Sequence, residues 1–216
     1  MKLKHAALAM LTSILSLFGG KANATPESDF WKWFQRNEQM LFNFEANQER
    51  TFDLLAAQMQ RVHPSLTFEF GPVRGGKREF IISADGIREA FPKVEDLFAA
   101  APTLPKWEVI KFRPRRDPFD IEYGGISVKA STVLVIIQGD GAKAGLTVLI
   151  PGYTEAQRNT YMGVAYLVLD QALGEYDVET RVGFIEVKAP NAAAKGAVTV
   201  QQLPKAFDAF FIRRGV

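Results

Sequence analysis

Residues 106–116, KWEVIKFRPRR, begin as one kind of structure and end as another. The first half predicts a strand, with Trp107 and Val109 on one side and Ile110 and Phe112 on the other. Then Arg113, Arg115 and Arg116 crowd around Pro114, which has no N–H to give a sheet ladder. The stretch predicts a core strand that delivers three guanidinium groups to one rim of the fold. Everything else in the chain is read outward from it.

Toward the N-terminus, Asp85-Gly86 turns the chain into a helical stretch on Ile87, Phe91, Val94 and Phe98, which Pro92 breaks into two short pieces, itself at the first position of the second. Before that, residues 66–70 and 78–83 predict two strands joined by residues 71–77, GPVRGGK. This loop matches the start of a phosphate-cradling loop, but Arg78 stands where Ser or Thr would hold magnesium. It also joins strand to strand, with no helix N-terminus to receive phosphate, so it reads as a hairpin turn. Residues 45–62 predict a helix on Phe52, Leu55, Met59 and Val62, ended by His63-Pro64. An earlier helix is expected to start near Asp29 with Ser28 as its cap, burying Phe30, Trp33, Phe34 and Leu41, with Trp31 and Phe42 off the stripe.

Toward the C-terminus, Gly124-Gly125 predicts a tight hairpin. Residues 133–138 and 146–150 predict two strands about a Gly-rich turn. Asp140 in that turn lacks the alternating oxygens and distal Glu of a calcium loop. Thr154 and Gln157 have capping-box spacing and open a helix that is apolar nearly all round and stops at Gly174. Asp170 lies in its last turn, where the helix dipole disfavours a carboxylate, and an acidic turn with Glu175, Asp177 and Glu179 follows. A strand over 182–188, a small-residue linker and a final helix on Leu203, Phe207, Phe210 and Phe211 complete the chain. Strands in adjacent pairs with helices between the groups predict an α+β domain, an antiparallel sheet with helices packed on a face.

Residues 1–24 predict a secretory leader: Lys2 and Lys4, an apolar run over 6–18, and Ala22-Asn23-Ala24 as a cleavage site. The run is shorter than a membrane span needs. The expectation is a periplasmic or secreted protein with one domain over 25–216 and no transmembrane segment after cleavage. The formal net charge of +2 loses Lys2, Lys4 and Lys21 with the leader and becomes −1, which argues against a nucleic-acid partner. There is no cysteine, so no disulfide and no thiol nucleophile. His63 is the one histidine after the leader and reads as a helix-end residue rather than a base.

The blocks FEFG (68–71), REFIISADGI (78–87), FRPRR (112–116) and LDQALGEYDVETRVGFIEV (169–187) resemble those of a family of uncharacterised bacterial exported proteins. The resemblance covers most of residues 25–216. It implies one domain and carries over no catalytic residue.

Arg113, Arg115 and Arg116 are expected to meet Asp170, Glu175 or Asp177. Three readings stay open: an ion-pair network that fixes the helix end to the sheet, a rim of Arg forks for an acidic small molecule or an acidic protein partner, and a hydrolase. The hydrolase would use a carboxylate pair among Glu69, Glu79, Asp170, Glu175 and Asp177, or a metal held by oxygen alone. The reading favoured is a non-catalytic binding domain with those six Arg, Asp and Glu residues as its ligand site, and without a cofactor or a metal centre.

Overall fold

Trp107–Lys111 does form a strand, but it runs along the edge of its sheet and parallel to its neighbour. A computed structural model describes residues 24–191 and 194–215. Apart from Ala24, the expected leader lies outside the described residues. In chain order the elements are α1 (Pro26–Arg36), α2 (Glu38–Phe42), α3 (Gln48–Val62), β1 (Thr67–Arg74), β2 (Lys77–Ser83), α4 (Phe91–Ala99), β3 (Trp107–Lys111), β4 (Ile121–Tyr123), β5 (Ile126–Val128), β6 (Leu134–Asp140), β7 (Lys143–Leu149), α5 (Arg158–Leu173), α6 (Glu175–Arg181), β8 (Val182–Lys188), β9 (Val198–Thr199) and α7 (Leu203–Arg214). The α+β class is as the sequence reads.

The single antiparallel sheet is instead three sheets, ordered β1-β2-β3, β4-β5 and β8-β7-β6-β9. Each of the two larger sheets contains one parallel pair, β2 with β3 and β7 with β8. The cause is the same in both places. A helix follows the second strand of a hairpin, and a helical crossover returns the next strand in the same direction. Thus β1-β2-α4-β3 and β6-β7-α5/α6-β8 follow one ββαβ plan, a repeat of topology that no sequence period announces.

Each ββαβ unit carries its own core. The first holds Phe30, Phe34, Leu55, Met59, Phe80 and Trp107 among its buried residues, and the second Leu146, Val148, Val164, Leu169, Phe207 and Phe211. In the first core Phe34 lies 4.9 Å from both Phe80 and Trp107, centroid to centroid. Such ring pairs add about 0.5–1.5 kcal/mol beyond area burial. Trp31 is buried as well, contrary to its expected place off the stripe, and donates from Nε1 to the Leu97 carbonyl at 2.8 Å, tying α1 to α4. Trp33 is only half-buried.

Several helix ends differ from expectation for reasons of local bonding. Helix α1 starts three residues earlier than predicted because Thr25 is the cap, with Ser28 as the reciprocal member of a capping box. The predicted box at Thr154 does not form: Thr154 bonds the Gln157 side chain at 3.2 Å, and the helix opens through one 3-10 turn at Glu155–Gln157. Asn47 caps α3, and His63 ends it in extended backbone, as the following Pro requires. Gly75-Gly76 and Gly124-Gly125 both take positive φ and close two-residue hairpins. The loop that resembles a phosphate cradle is therefore a β-turn.

Candidate functional site

The chain leaves β3 by a sharp left-handed step. Phe112 has φ +61°, uncommon for a bulky residue, and its N–H donates to the Ile82 carbonyl at 2.7 Å. That step turns Phe112 into the same core as Trp107, not to the opposite face as alternation predicts. The backbone of Arg113 then docks on the junction of α5 and α6. The Glu175 N–H donates to the Arg113 carbonyl at 3.0 Å and the Arg116 N–H to the Gln171 carbonyl at 2.6 Å. Gly174, at φ +79°, allows this approach: a Cβ there would stand 3.0 Å from the Arg113 oxygen.

Glu175 is not a partner for the guanidinium groups. Its side chain is fully buried, and its carboxylate accepts three backbone N–H bonds, from Ala84 (3.0 Å), Gly86 (3.1 Å) and Arg113 (3.1 Å). The acidic turn expected around it is helix α6, whose first residue it is. One carboxylate thus joins the loop after β2 and the end of β3 to the second unit. Asp85, within that loop, is among the described residues the other non-glycine position with positive φ, at +53°.

The three arginines part company. Arg113 pairs with Glu69, with Asp85 at 2.7 Å and with Asp170 at 3.8 Å. Burial works against its charge, but Asp85, Glu69 and Glu175 outweigh burial and raise its pKa. Arg115 pairs with Asp177 and takes both oxygens of Asp208 at 2.9 Å, a fork-on-carboxylate geometry. It also donates to the Leu173 carbonyl at 3.1 Å, a cation on the negative end of α5. The bond to Asp208 leads in raising the Arg115 pKa, and Arg115 in turn holds Asp208 below the usual carboxylate range. Arg116 pairs with Glu79 at 2.7 Å and with none of Asp170, Glu175 and Asp177. The expected rim of open Arg forks is thus a set of guanidiniums each engaged by carboxylate.

A cleft of about 650 Å³ opens where the two units meet. Its floor is polar: Arg113 with Glu69, Asp85 and Asp170, and Arg116 and Glu179 beside them. Its wall is apolar and open: Phe119 is 61% exposed, Tyr123 47%, Tyr166 45% and Leu167 40%. Helix α5 buries Tyr161, Val164, Ala165, Val168, Leu169, Ala172 and Leu173 in one helical stripe, and so turns Tyr166 and Leu167 away from its core into the cleft. Burial first, then the negative charge of Glu175, Glu179 and Asp85, push the Asp170 carboxyl up to about 7 against the pull of Arg113. Burial and Glu175 likewise raise the Glu179 pKa.

Of the six residues singled out from the sequence, Arg113, Arg116 and Asp170 line this cleft, and Glu175 pins its edge from below. Arg115 and Asp177 line a different depression of about 500 Å³, beside Phe112 and Tyr176. Sequence reasoning placed Glu179 in the acidic turn without assigning it to the site, and missed Asp85 and Asp208. Positive φ at Asp85 has no sequence signal stronger than its Asp-Gly pair, and Asp208 lies 93 residues from Arg115. Among the described residues no group of three or more His, Cys, Asp or Glu side chains is placed to hold a metal ion. No helix among them is long and apolar enough to cross a membrane. Comparison with protein-family models, curated proteins and solved structures finds no match to this chain.

Proposed function

We propose that this is a binding protein that seats its ligand in the cleft between the two ββαβ units. The carrying observation is the pairing of an exposed apolar wall (Phe119, Tyr123, Tyr166, Leu167) with a floor of fixed polar groups about Arg113. Clefts of a few hundred Å³ with that division are where small ligands bind. Two strained backbone positions, Asp85 and Phe112, flank the floor, and such strain gathers at functional sites. With the leader read at residues 1–24, we take the protein to act in the periplasm or as a secreted protein.

The test uses the full chain expressed and recovered in mature form, with native and denaturing mass spectra taken side by side. Leu167→Trp, at an exposed helix position on the wall, fills the cleft without touching either core. A non-covalent mass carried by the wild type and lost from Leu167→Trp supports the cleft as the ligand seat. Retention of that mass by Leu167→Trp, or its absence from both, counts against it.

One observation favours a second reading. The Asp170 carboxyl is pushed up to about 7 while other carboxylates surround the same guanidinium, the division of roles a hydrolase needs. In that case Asp170→Asn folds and binds but releases its ligand uncleaved, whereas the wild type releases two products.

A further inference from the structure

We infer that the cleft takes a cation with an apolar body, an amine joined to an aromatic or branched aliphatic group; this rests on the cleft being the ligand seat. The sign follows from what faces it. Strand β1 contributes Glu69, the loop after β2 contributes Asp85, α5 contributes Asp170 and α6 contributes Glu179. Against these four carboxylates stand two guanidiniums, and Arg116 is already held by Glu79. Arg113 is shared among Glu69, Asp85 and Asp170, so one positive charge answers Glu69 and Asp85 even where Asp170 holds a proton. Glu179 forms no ion pair among the described residues, and Lys143 and Arg88 act on it only from beyond ion-pair distance. An anion entering here would have to draw Arg113 or Arg116 away from its carboxylates. A cation meets none of that cost.

The wall points the same way by independent physics. Phe119, Tyr123 and Tyr166 present open aromatic surface, and aromatic faces attract cations and repel anions. Leu167 adds aliphatic surface beside Tyr166, suited to a hydrocarbon body rather than a bare metal ion. A ligand with its ammonium group at Asp170 and Glu179 and its body along α5 satisfies floor and wall together.

Three probes of like shape and different charge decide the question: 2-phenylethylamine, 2-phenylethanol and 3-phenylpropionate. Each is titrated into the protein, with the backbone amides of Gly86, Gly163 and Leu167 followed by NMR. The amine is expected to shift all three amides and to bind about tenfold tighter than the alcohol, the size of one favourable ammonium contact. Asp170→Asn and, as a second variant, Glu179→Gln are expected to reduce the amine's advantage over the alcohol, and an undiminished advantage in both overturns the inference. Equal binding of amine and alcohol overturns the inference. Preferred binding of the propionate, lost in Arg113→Ala, also overturns it while leaving the cleft as the seat of an acidic ligand. If no probe shifts these amides the inference fails, and the co-purified mass above still judges the cleft on its own.

Discussion

Asp170 stands at the last turn of α5, half-buried, close to other carboxylates and 3.8 Å from the one guanidinium that answers it. Its place at the wrong end of a helix dipole is legible in the sequence, and so is its need for an arginine. The choice of Arg113 is not, because it depends on how β3 ends. Because the Asp170 pKa is raised in the folded state to about 7, ionising it opposes folding. The stability it confers as a neutral acid is complete below the ordinary carboxylate pKa and is lost as pH rises through about 7. Asp170→Asn should therefore match the wild type in thermal stability near pH 3.5 and exceed it above pH 7, by at most about 4 kcal/mol. An equal margin at both values would mean that the gain is not electrostatic. Glu175 gives the opposite forecast. An amide in its place turns an N–H2 group toward backbone N–H donors, so Glu175→Gln should lower the urea midpoint by an amount equivalent to about 2–4 kcal/mol. Its role is not legible in the sequence, where Glu175 reads as a partner for the arginines; burial and three backbone donors give it a different one.

Elements were easier to read than their ends or partners. Helices α3 and α7 and the hairpin β4-β5 follow from apolar spacing and paired glycines, which are local facts. The parallel partnership of β2 and β3 was not legible, because it depends on α4 acting as a crossover rather than on any residue in either strand. Helix α6 had a signal that went unused: Glu175 and Asp177 in its first turn and Arg181 in its last match the dipole of a short helix. At this scale Arg115 is the joint. It holds α6 by Asp177, α7 by Asp208 and the end of α5 by the Leu173 carbonyl. Arg115→Ala should leave the first unit unchanged and speed amide hydrogen exchange in α7 by about tenfold or more, equivalent to roughly 1–2 kcal/mol. Uniform loss of protection across the chain would show instead that Arg115 supports the whole fold.

The whole molecule is two cores joined at their boundary by polar bonds, among them the three that Glu175 accepts, and by the ring contacts of Tyr176 with Phe91 and Phe112. This partition has a spectroscopic consequence. All three tryptophans, Trp31, Trp33 and Trp107, belong to the first core or pack against it. Of the five tyrosines, Tyr153 and Tyr161 belong to the second core, Tyr123 and Tyr166 line the cleft, and Tyr176 straddles the boundary beside Phe91 and Phe112. Indole emission therefore reports one half of the protein and phenol absorption the other, with no label introduced. In the wild type both signals should change at one urea midpoint. In Glu175→Ala they should separate, and excitation energy passed from tyrosine to tryptophan should fall before either core melts. Coincident midpoints in that variant would mean that the units are coupled through more than this carboxylate. The same two chromophores make the cleft observable, since a ligand lying along Tyr123 and Tyr166 alters phenol absorption, whereas none of the tryptophans lines the cleft.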